Sequence, residues 1–214
     1  EPAFNADTII AFTQWMNACK LTIKHDTGVA IDVLHPVFTT SSPASLGLNK
    51  MAEILQLWCT VKNDIYHGCA GLQLSINSTN EAQRQNMFAG KALTLKDIAA
   101  ICKTLPEPLG RKYCLNFALA DTYEVDATKL ATLFDPDYFM VKITPIHNNT
   151  ACRTNGIETK NGYKNATWYQ KAEHELKENG FDVLVFVPSI DEEDGLITCG
   201  NVVLSGNMPT NQIQ

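Results

Sequence analysis

Apolar side chains occupy every second position in three separate segments of this 214-residue chain, and this alternation constrains the fold more than any other feature. The segments are 70–77, 113–119 and 139–144, and their pattern predicts strands with one apolar and one polar face. Residues 29–39 are rich in β-forming side chains but contain Pro36, which suits the start of a strand or a bulge. The apolar run 183–187 predicts a fifth strand.

Helical patterns lie before and between these strands. Apolar residues spaced by three and four predict helices over 7–19, 48–58, 94–102, 126–133 and 167–179. Asp7, Thr94 and Asp126 suit the helix N-termini, and Gly180 suits the end of the last helix. The resulting order is one helix, four βα units and a final strand, which predicts parallel strands joined by right-handed crossovers.

The polar faces of the strands distinguish between two parallel architectures. In a doubly wound open sheet, the strands are buried on both faces and have continuous apolar runs. Here Gln73, Ser75, Cys114 and Asn116 alternate with apolar residues, which fits the concave inside of a barrel that holds a polar ligand. The sequence therefore predicts an α/β fold with an incomplete parallel (β/α) barrel and a polar lumen face, in preference to a doubly wound sheet.

Functional side chains in barrels of this kind lie at the carboxyl ends of the strands. The predicted ends here carry mainly hydroxyls and carboxamides, in the segments 39–42, 75–78 and 145–148, while strong acids are nearly absent. This composition favours the binding of a polar cofactor over hydrolysis by a pair of carboxylates.

Composition excludes several other classes of protein. The net charge is −6, the pI is about 5.3 and no run of three basic residues occurs, which argues against a broad surface for nucleic acid. The seven cysteines form no Cys-x-x-Cys pair, and several lie in apolar periodic segments, so we expect a reducing, cytoplasmic compartment. No apolar run reaches the ~18 residues of a membrane span, and no signal peptide is expected.

Five segments in chain order resemble the radical S-adenosylmethionine superfamily, above all the branch that methylates adenine in ribosomal and transfer RNA. Glu1-Pro2 resembles the end of its Gly-Glu-Pro motif, and 74–84 resembles the string Ser-Leu-His-Ala-x-Asn-Asp-x-x-Arg, with Arg84 at its end. The remaining matches are 37–42 to the third barrel strand, 143–148 to Ile-Pro-x-Asn, and 198–201 to Ala-Cys-Gly-Gln.

The resemblance implies S-adenosylmethionine and a 4Fe-4S cluster as cofactors. It assigns cofactor binding to a set of strand-end residues, namely Glu1, Thr39, Ser75, Asn77, His147 and Asn148. It also assigns catalysis to Cys199, which would carry the transferred methyl group. From the residues alone, the favoured interpretation of Cys199 is a small buried apolar side chain, and the resemblance is what reverses this preference.

The Cys-x-x-x-Cys-x-x-Cys motif that ligates the cluster does not occur in this chain, and no other spacing of its cysteines replaces the motif. No metal ligands are therefore predicted here. We expect the cluster ligands to lie upstream of Glu1, so that this chain is the C-terminal part of a longer enzyme and inactive alone. Residues 1–190 would form the partial barrel, and 191–214 a loop and tail that carry Cys199.

The substrate and partners remain open at this point. The resemblance implies RNA, whereas the acidic charge favours a peptide or a small molecule, and a non-catalytic barrel that acts as a binding module is a third possibility. A barrel without its first strands has an unpaired edge. We therefore expect contact with the missing N-terminal half, or a dimer through the strand around 29–39.

Overall fold

A computed structural model describes residues 1–146 and 167–187 of the chain. These residues form one five-stranded parallel sheet whose spatial order, β1-β2-β3-β4-β5, is the order of the strands in the chain. The strands are β1 (Val37–Thr40), β2 (Gly71–Ser75), β3 (Tyr113–Leu119), β4 (Phe139–Pro145) and β5 (Asp182–Val185). The prediction of parallel strands in chain order is confirmed.

Seven α-helices are described, and most of them connect the strands. They are α1 (Ala6–Ala18), α2 (Lys20–Thr27), α3 (Gly47–Thr60), α4 (Glu81–Met87), α5 (Leu95–Cys102), α6 (Ala127–Leu133) and α7 (Thr167–Glu178). The strand order never reverses, so right-handed crossovers place the connecting helices on one side of the sheet. This differs from a doubly wound sheet, in which the order reverses and helices cover both sides. In the described sheet β1 and β5 are both edge strands, and no closed barrel is formed.

The helix-covered face of the sheet forms the hydrophobic core. Leu74, Leu115, Phe117, Val141 and Ile143 on that face are completely buried. The opposite side, called the polar face below, is made of the alternate residues of the same strands, which are half-buried: Thr39, Gln73, Ser75, Cys114, Asn116, Ala118, Met140, Lys142 and Thr144. The alternation predicted from the sequence is therefore present.

Two capping predictions are confirmed. The side-chain oxygen of Thr94 accepts a hydrogen bond from the amide of Asp97 at 3.1 Å, and Asp126 accepts one from the amide of Lys129 at 2.9 Å. Both bonds satisfy amide groups that a helix start leaves without an intrahelical partner.

The first helix differs from the prediction. Its N-cap is Asn5 and not Asp7, and its buried residues are Ala6, Ile10 and Thr13. Phe12, one of the periodic apolar residues that predict this helix, is 55% exposed. Leu48, one of the apolar residues that predict α3, is likewise 46% exposed, because the buried side of α3 carries Met51, Leu55 and Trp58.

The segment before β1 also differs from the prediction. Residues 29–36 form no strand, and β1 begins at Val37, directly after Pro36. A proline at the start of a strand needs no ladder hydrogen bond from its nitrogen, so Pro36 marks the beginning of β1 and not an interruption within a longer strand.

None of the helices in the described ranges is long and apolar enough to cross a membrane.

Candidate functional site

The carboxylate of Glu1 holds the carboxyl end of β1. Its Oε1 accepts hydrogen bonds from the Thr40 hydroxyl at 2.7 Å and the Ala3 amide at 3.0 Å. Its Oε2 accepts from the Ser41 amide at 2.9 Å and the Ser41 hydroxyl at 2.5 Å. Four donors therefore occupy the two oxygens, which together offer about four lone-pair sites. Glu1 acts here as a clamp between the first turn of the chain and the end of β1.

These bonds also control the ionisation of Glu1. Partial burial raises the pKa of the carboxyl group, but the hydrogen bonds from Ser41, Thr40 and Ala3 outweigh burial and lower the pKa below its ordinary value. Glu1 is therefore ionised at neutral pH, and its charge is spread over the donors of the β1 end.

The backbone is strained where β1 and β2 end. Ser42, two residues after β1, has φ 58°, and Asn77, two residues after β2, has φ 63°. Neither is a glycine, and residues other than glycine rarely adopt such angles. The Asn77 side chain supports its turn by accepting a hydrogen bond through Oδ1 from the Ala118 amide of β3 at 3.0 Å. Strain of this kind is concentrated at binding and catalytic sites in proteins.

Three buried polar groups near these strand ends have no hydrogen-bond partner among the described residues. They are the hydroxyl of Ser42, the guanidinium nitrogens of Arg84 and the Oδ1 atom of Asn116. Ser42 follows β1, Arg84 lies on the helix that follows β2, and Asn116 lies on β3 beside Ser75. Such groups normally find a partner, because a buried polar group without one costs about 1–3 kcal/mol.

Arg84 is the most unusual of the three groups. Its side chain is 0% exposed, and Nε and both terminal nitrogens lack an acceptor within the described residues. The guanidinium carbon lies 4.8 Å from the centre of the Phe88 ring. Burial lowers the pKa of Arg84 to about 10, with Glu81 acting in the opposite direction, so the group is still charged at neutral pH. The fold thus holds a buried cation whose hydrogen-bonding groups have no acceptor within 1–146 and 167–187.

The helix that carries Arg84 was not predicted from the sequence. Asn80 caps it, because Oδ1 of Asn80 accepts hydrogen bonds from the amides of Ala82 and Gln83 at 3.0 and 3.2 Å. Its residues, Glu-Ala-Gln-Arg-Gln-Asn-Met, contain too few apolar side chains to show a helical period. The N-cap residue was the signal that could have located it.

A cavity of about 560 Å³ opens beside the end of β1. Its wall includes Glu1, Ser41 and Phe88, together with Phe4 and Lys91. Phe88 therefore faces this cavity and also contacts the guanidinium of Arg84. The cavity, the clamp at Glu1 and the buried cation are consequently neighbours at one end of the sheet.

The structure places four of the predicted site residues at this end or on the polar face. Glu1 lies at the end of β1, and Asn77 lies in the strained turn after β2. Thr39 is paired in register with Gln73, and Ser75 with Asn116, so their side chains share the polar face. Their predicted contacts with a cofactor remain predictions. His147, Asn148 and Cys199 lie outside the described residues.

Metal binding finds no support within 1–146 and 167–187, where no group of three or more His, Cys, Asp or Glu side chains is close enough to hold an ion. Cys59 and Cys102 are buried in the core, and burial raises the pKa of both thiols; that of Cys59 is about 11. Thiols in such surroundings are poor sources of the thiolates that iron–sulfur clusters require. The described residues therefore do not fit a 4Fe-4S cluster.

No protein-family model and no curated protein matches the chain. Among solved structures, it is similar to the crystal structure of a radical SAM methyltransferase from Sphaerobacter thermophilus, with 15% sequence identity and a TM-score of 0.47. The alignment covers 71% of this chain and 40% of that protein, so the chain spans well under half of the length of this structural relative.

Proposed function

We propose that this chain is part of a radical S-adenosylmethionine enzyme and that the carboxyl ends of β1, β2 and β3 bind the amino-acid moiety of S-adenosylmethionine. The observation that carries the proposal is the set of buried polar groups at Ser42, Arg84 and Asn116, which have no hydrogen-bond partner in the described part of the chain. The sequence resemblance described above supports the choice of family, since two of its matched segments, 37–42 and 74–84, cover the carboxyl ends of β1 and β2.

The three groups are complementary to a zwitterion. A guanidinium and a hydroxyl donate hydrogen bonds to a carboxylate, and the carbonyl oxygen of Asn116 accepts one from an ammonium group. Thr39 and Ser75 on the polar face would offer hydroxyls to the ribose. When it is bound, S-adenosylmethionine supplies an activated methyl or adenosyl group, and the residues of this chain would bind and orient it.

The cluster is not part of what these residues can hold. Because no described thiols form a ligand set, the radical step depends on cysteines elsewhere, which in this proposal belong to a preceding segment of the same protein. The proposal also includes Cys199 as the methyl carrier, adenine in RNA as the acceptor and a cytoplasmic location. None of these three depends on the geometry of the described site.

In this proposal, a preceding βα unit would pack against the outer edge of β1. Within the described residues, the outer edge of β1 has no neighbouring strand, and the first turn of the chain, which contacts β1, exposes 57% of Phe4. On α1, which follows this turn, Phe12 and Trp15 are 55% and 60% exposed, with their rings 5.5 Å apart. An unpaired edge next to exposed aromatic side chains is typical of an interface. We propose that this surface receives the missing N-terminal half, with a second copy of the chain as its substitute when that half is absent.

The binding proposal is tested by isothermal titration of the chain with S-adenosylmethionine, 5′-methylthioadenosine and L-methionine. Methylthioadenosine lacks the amino-acid group, so we expect it to bind at least about 10-fold more weakly than S-adenosylmethionine. Arg84→Met should weaken S-adenosylmethionine and leave methylthioadenosine unchanged, because the lost contact involves only the carboxylate. Lys50→Met is the matched control, since Lys50 lies on α3 and pairs with Glu53.

Equal binding of both nucleosides, or an unchanged affinity in Arg84→Met, would contradict the proposal. Methionine that binds as tightly as S-adenosylmethionine would indicate an amino-acid-binding module without a nucleoside site. For the enzyme, anaerobic iron–sulfur reconstitution of the protein together with its upstream sequence should yield reductive cleavage of S-adenosylmethionine.

A further inference from the structure

The part of the polar face that runs from the amino end of β3 to the middle of β4 has a charge opposite to that of the whole protein. Although the chain carries a net charge of −6, the described residues of this area include three cations, Arg111, Lys112 and Lys142, and one carboxylate, Asp182. A positive area on an acidic protein attracts anions selectively to one place.

Only one of these cations is neutralised by a described residue. Lys112 forms an ion pair with Asp182 at 2.7 Å and donates a hydrogen bond to the Pro136 carbonyl at 2.8 Å. Within the described part of the chain, Arg111 and Lys142 lie within 4 Å of no carboxylate. Two positive charges on this face therefore have no counterion among the residues that the structure describes.

The absence of a side chain at Gly71 leaves space over the sheet for the guanidinium of Arg111. Gly71 lies on the polar face, and a Cβ atom added to it would lie 3.4 Å from the guanidinium carbon of Arg111. The guanidinium therefore lies over the sheet, where it gives one hydrogen bond, from its η1 nitrogen to the Cys69 carbonyl at 3.3 Å. Its other donors have no acceptor within the described ranges and could serve a ligand.

Lys142 lies on the other side of the same area. Its Nζ atom is 5.2 Å from the centre of the Phe186 ring, and its strand position is level with Asn116. Burial raises the pKa of the Cys114 thiol to about 11, while Lys142 and Arg111 both act in the opposite direction. Both cations are thus close enough to the same side chain to influence it, and Cys114 lies between them.

We propose that Arg111 and Lys142 form a binding site for a small phosphate-bearing molecule on the polar face, with Cys114 and Met140 as its floor. The forked donors of an arginine and the point charge of a lysine are the usual partners of phosphate oxygens. The strands that carry the site, β2 to β4, span about 10 Å, so two linked phosphates or a phosphorylated sugar fit the spacing better than one small ion. If the proposed function holds, this molecule is the substrate that faces the nucleoside.

Long nucleic acid is less consistent with the same observations. Affinity for RNA grows with the number of phosphates that basic residues neutralise, and the described residues of this face offer two uncompensated cations on an acidic chain. A phosphorylated small molecule needs no more than these two.

The test is a titration of the chain with inorganic pyrophosphate at about 50 mM salt, where screening of the charges is limited. We expect a dissociation constant below about 1 mM, with amide shift changes at Gly71, Cys114 and Lys142 in NMR spectra. Lys142→Gln and Arg111→Gln should each weaken binding at least about 10-fold, and the double variant should abolish it. Lys50→Gln, which removes the same charge from α3, should change the affinity less than about 2-fold.

Several outcomes would overturn the proposal. These are no binding to the wild-type chain at 10-fold higher pyrophosphate, unchanged affinity in both single variants, or shift changes confined to other surfaces. A 20-nucleotide RNA that binds far more tightly than pyrophosphate and depends on the same two residues would replace the small-molecule site with an RNA surface. The amide shift changes of the wild-type chain show whether pyrophosphate binds at this site even if a variant misfolds.

The same samples separate this site from the nucleoside site. Pyrophosphate binding without S-adenosylmethionine binding would support the phosphate site and contradict the proposed function. The reverse result would remove only the phosphate site.

Discussion

The two faces of the sheet are built from alternating residues of the same strands, but they differ in burial and in hydrogen bonding. On the helix-covered face, Leu115 and Phe117 are completely buried, while Asn116 between them is half-buried and has a carbonyl oxygen without a described partner. The residues of the first face are stabilised by packing. On the second face the amide oxygen of Asn116, and beyond the strand ends the cation of Arg84 and the hydroxyl of Ser42, have no hydrogen-bond partner among the described residues, which costs free energy that a ligand would restore.

This contrast assigns stability and binding to different residues within single strands. Because successive side chains of a strand point to opposite faces, adjacent substitutions separate the two properties without changing the strand itself. The following experiments are arranged to test that separation.

The largest effect is expected from Leu115→Ala. Removing a completely buried leucine should lower the free energy of unfolding by about 2–5 kcal/mol, whereas Asn116→Ala on the adjacent position should change it by less than about 1 kcal/mol. Urea denaturation of both variants measures the difference. Similar losses in the two would mean that the polar face also holds the fold together.

Arg84→Met should stabilise the protein while it weakens ligand binding. An uncompensated buried charge costs free energy, so an apolar side chain of similar length should raise the free energy of unfolding by about 2 kcal/mol. Thermal denaturation without ligand measures this gain. Destabilisation by the same substitution would show that Arg84 has a structural partner and would weaken its assignment to the site.

The clamp at Glu1 should contribute a smaller, pH-dependent stability. The pKa of Glu1 is lowered in the folded protein, so its contribution is present above the unfolded value of 4.5 and is lost as the pH falls below it. Glu1→Gln should therefore reduce the free energy of unfolding at pH 7 by about 1 kcal/mol, and this loss should shrink as the pH is lowered below 4.5. Urea denaturation at pH 7 and at successively lower pH values tests this, and a loss that does not change with pH would exclude a role for the charge.

The smallest effect is expected from Lys142→Gln. Because Lys142 has no described ion pair and lies on the half-buried face, its loss should change the free energy of unfolding by less than about 0.5 kcal/mol. A larger loss in urea denaturation would mean that Lys142 has a structural role, and binding data from this variant would then need a second substitution for their interpretation.

Most of the sheet was predictable from the sequence, because the alternation of apolar and polar residues is visible within each short segment. The alternation over 113–119 and 139–144 states directly which side chains are buried, and the repeated βα order specifies parallel pairing. The side of α1 that packs could not be predicted in the same way. Phe12 and Trp15 are as apolar as Ile10, and only the three-dimensional neighbours decide which of them is covered.

The sequence predicted where the candidate site lies, but not which of its polar groups lack hydrogen-bond partners. Hydroxyls and amides at the strand ends indicated polar binding, and the matched string drew attention to Arg84. A missing hydrogen-bond partner, however, is a property of the surrounding fold and leaves no trace in the sequence. The positive φ of Ser42 and Asn77 was equally hidden, since both are common residues in ordinary turns.

The unbroken strand order also determines how the chain can fold during synthesis. Each strand after β1 pairs with the strand made just before it, so no strand has to wait for a distant partner. Domains are made at about 5–20 residues per second, far slower than loops close, so each new βα unit has time to dock before the next leaves the ribosome. The newest strand is then always the free edge of the growing sheet. The next strand therefore has few wrong strands with which it could pair.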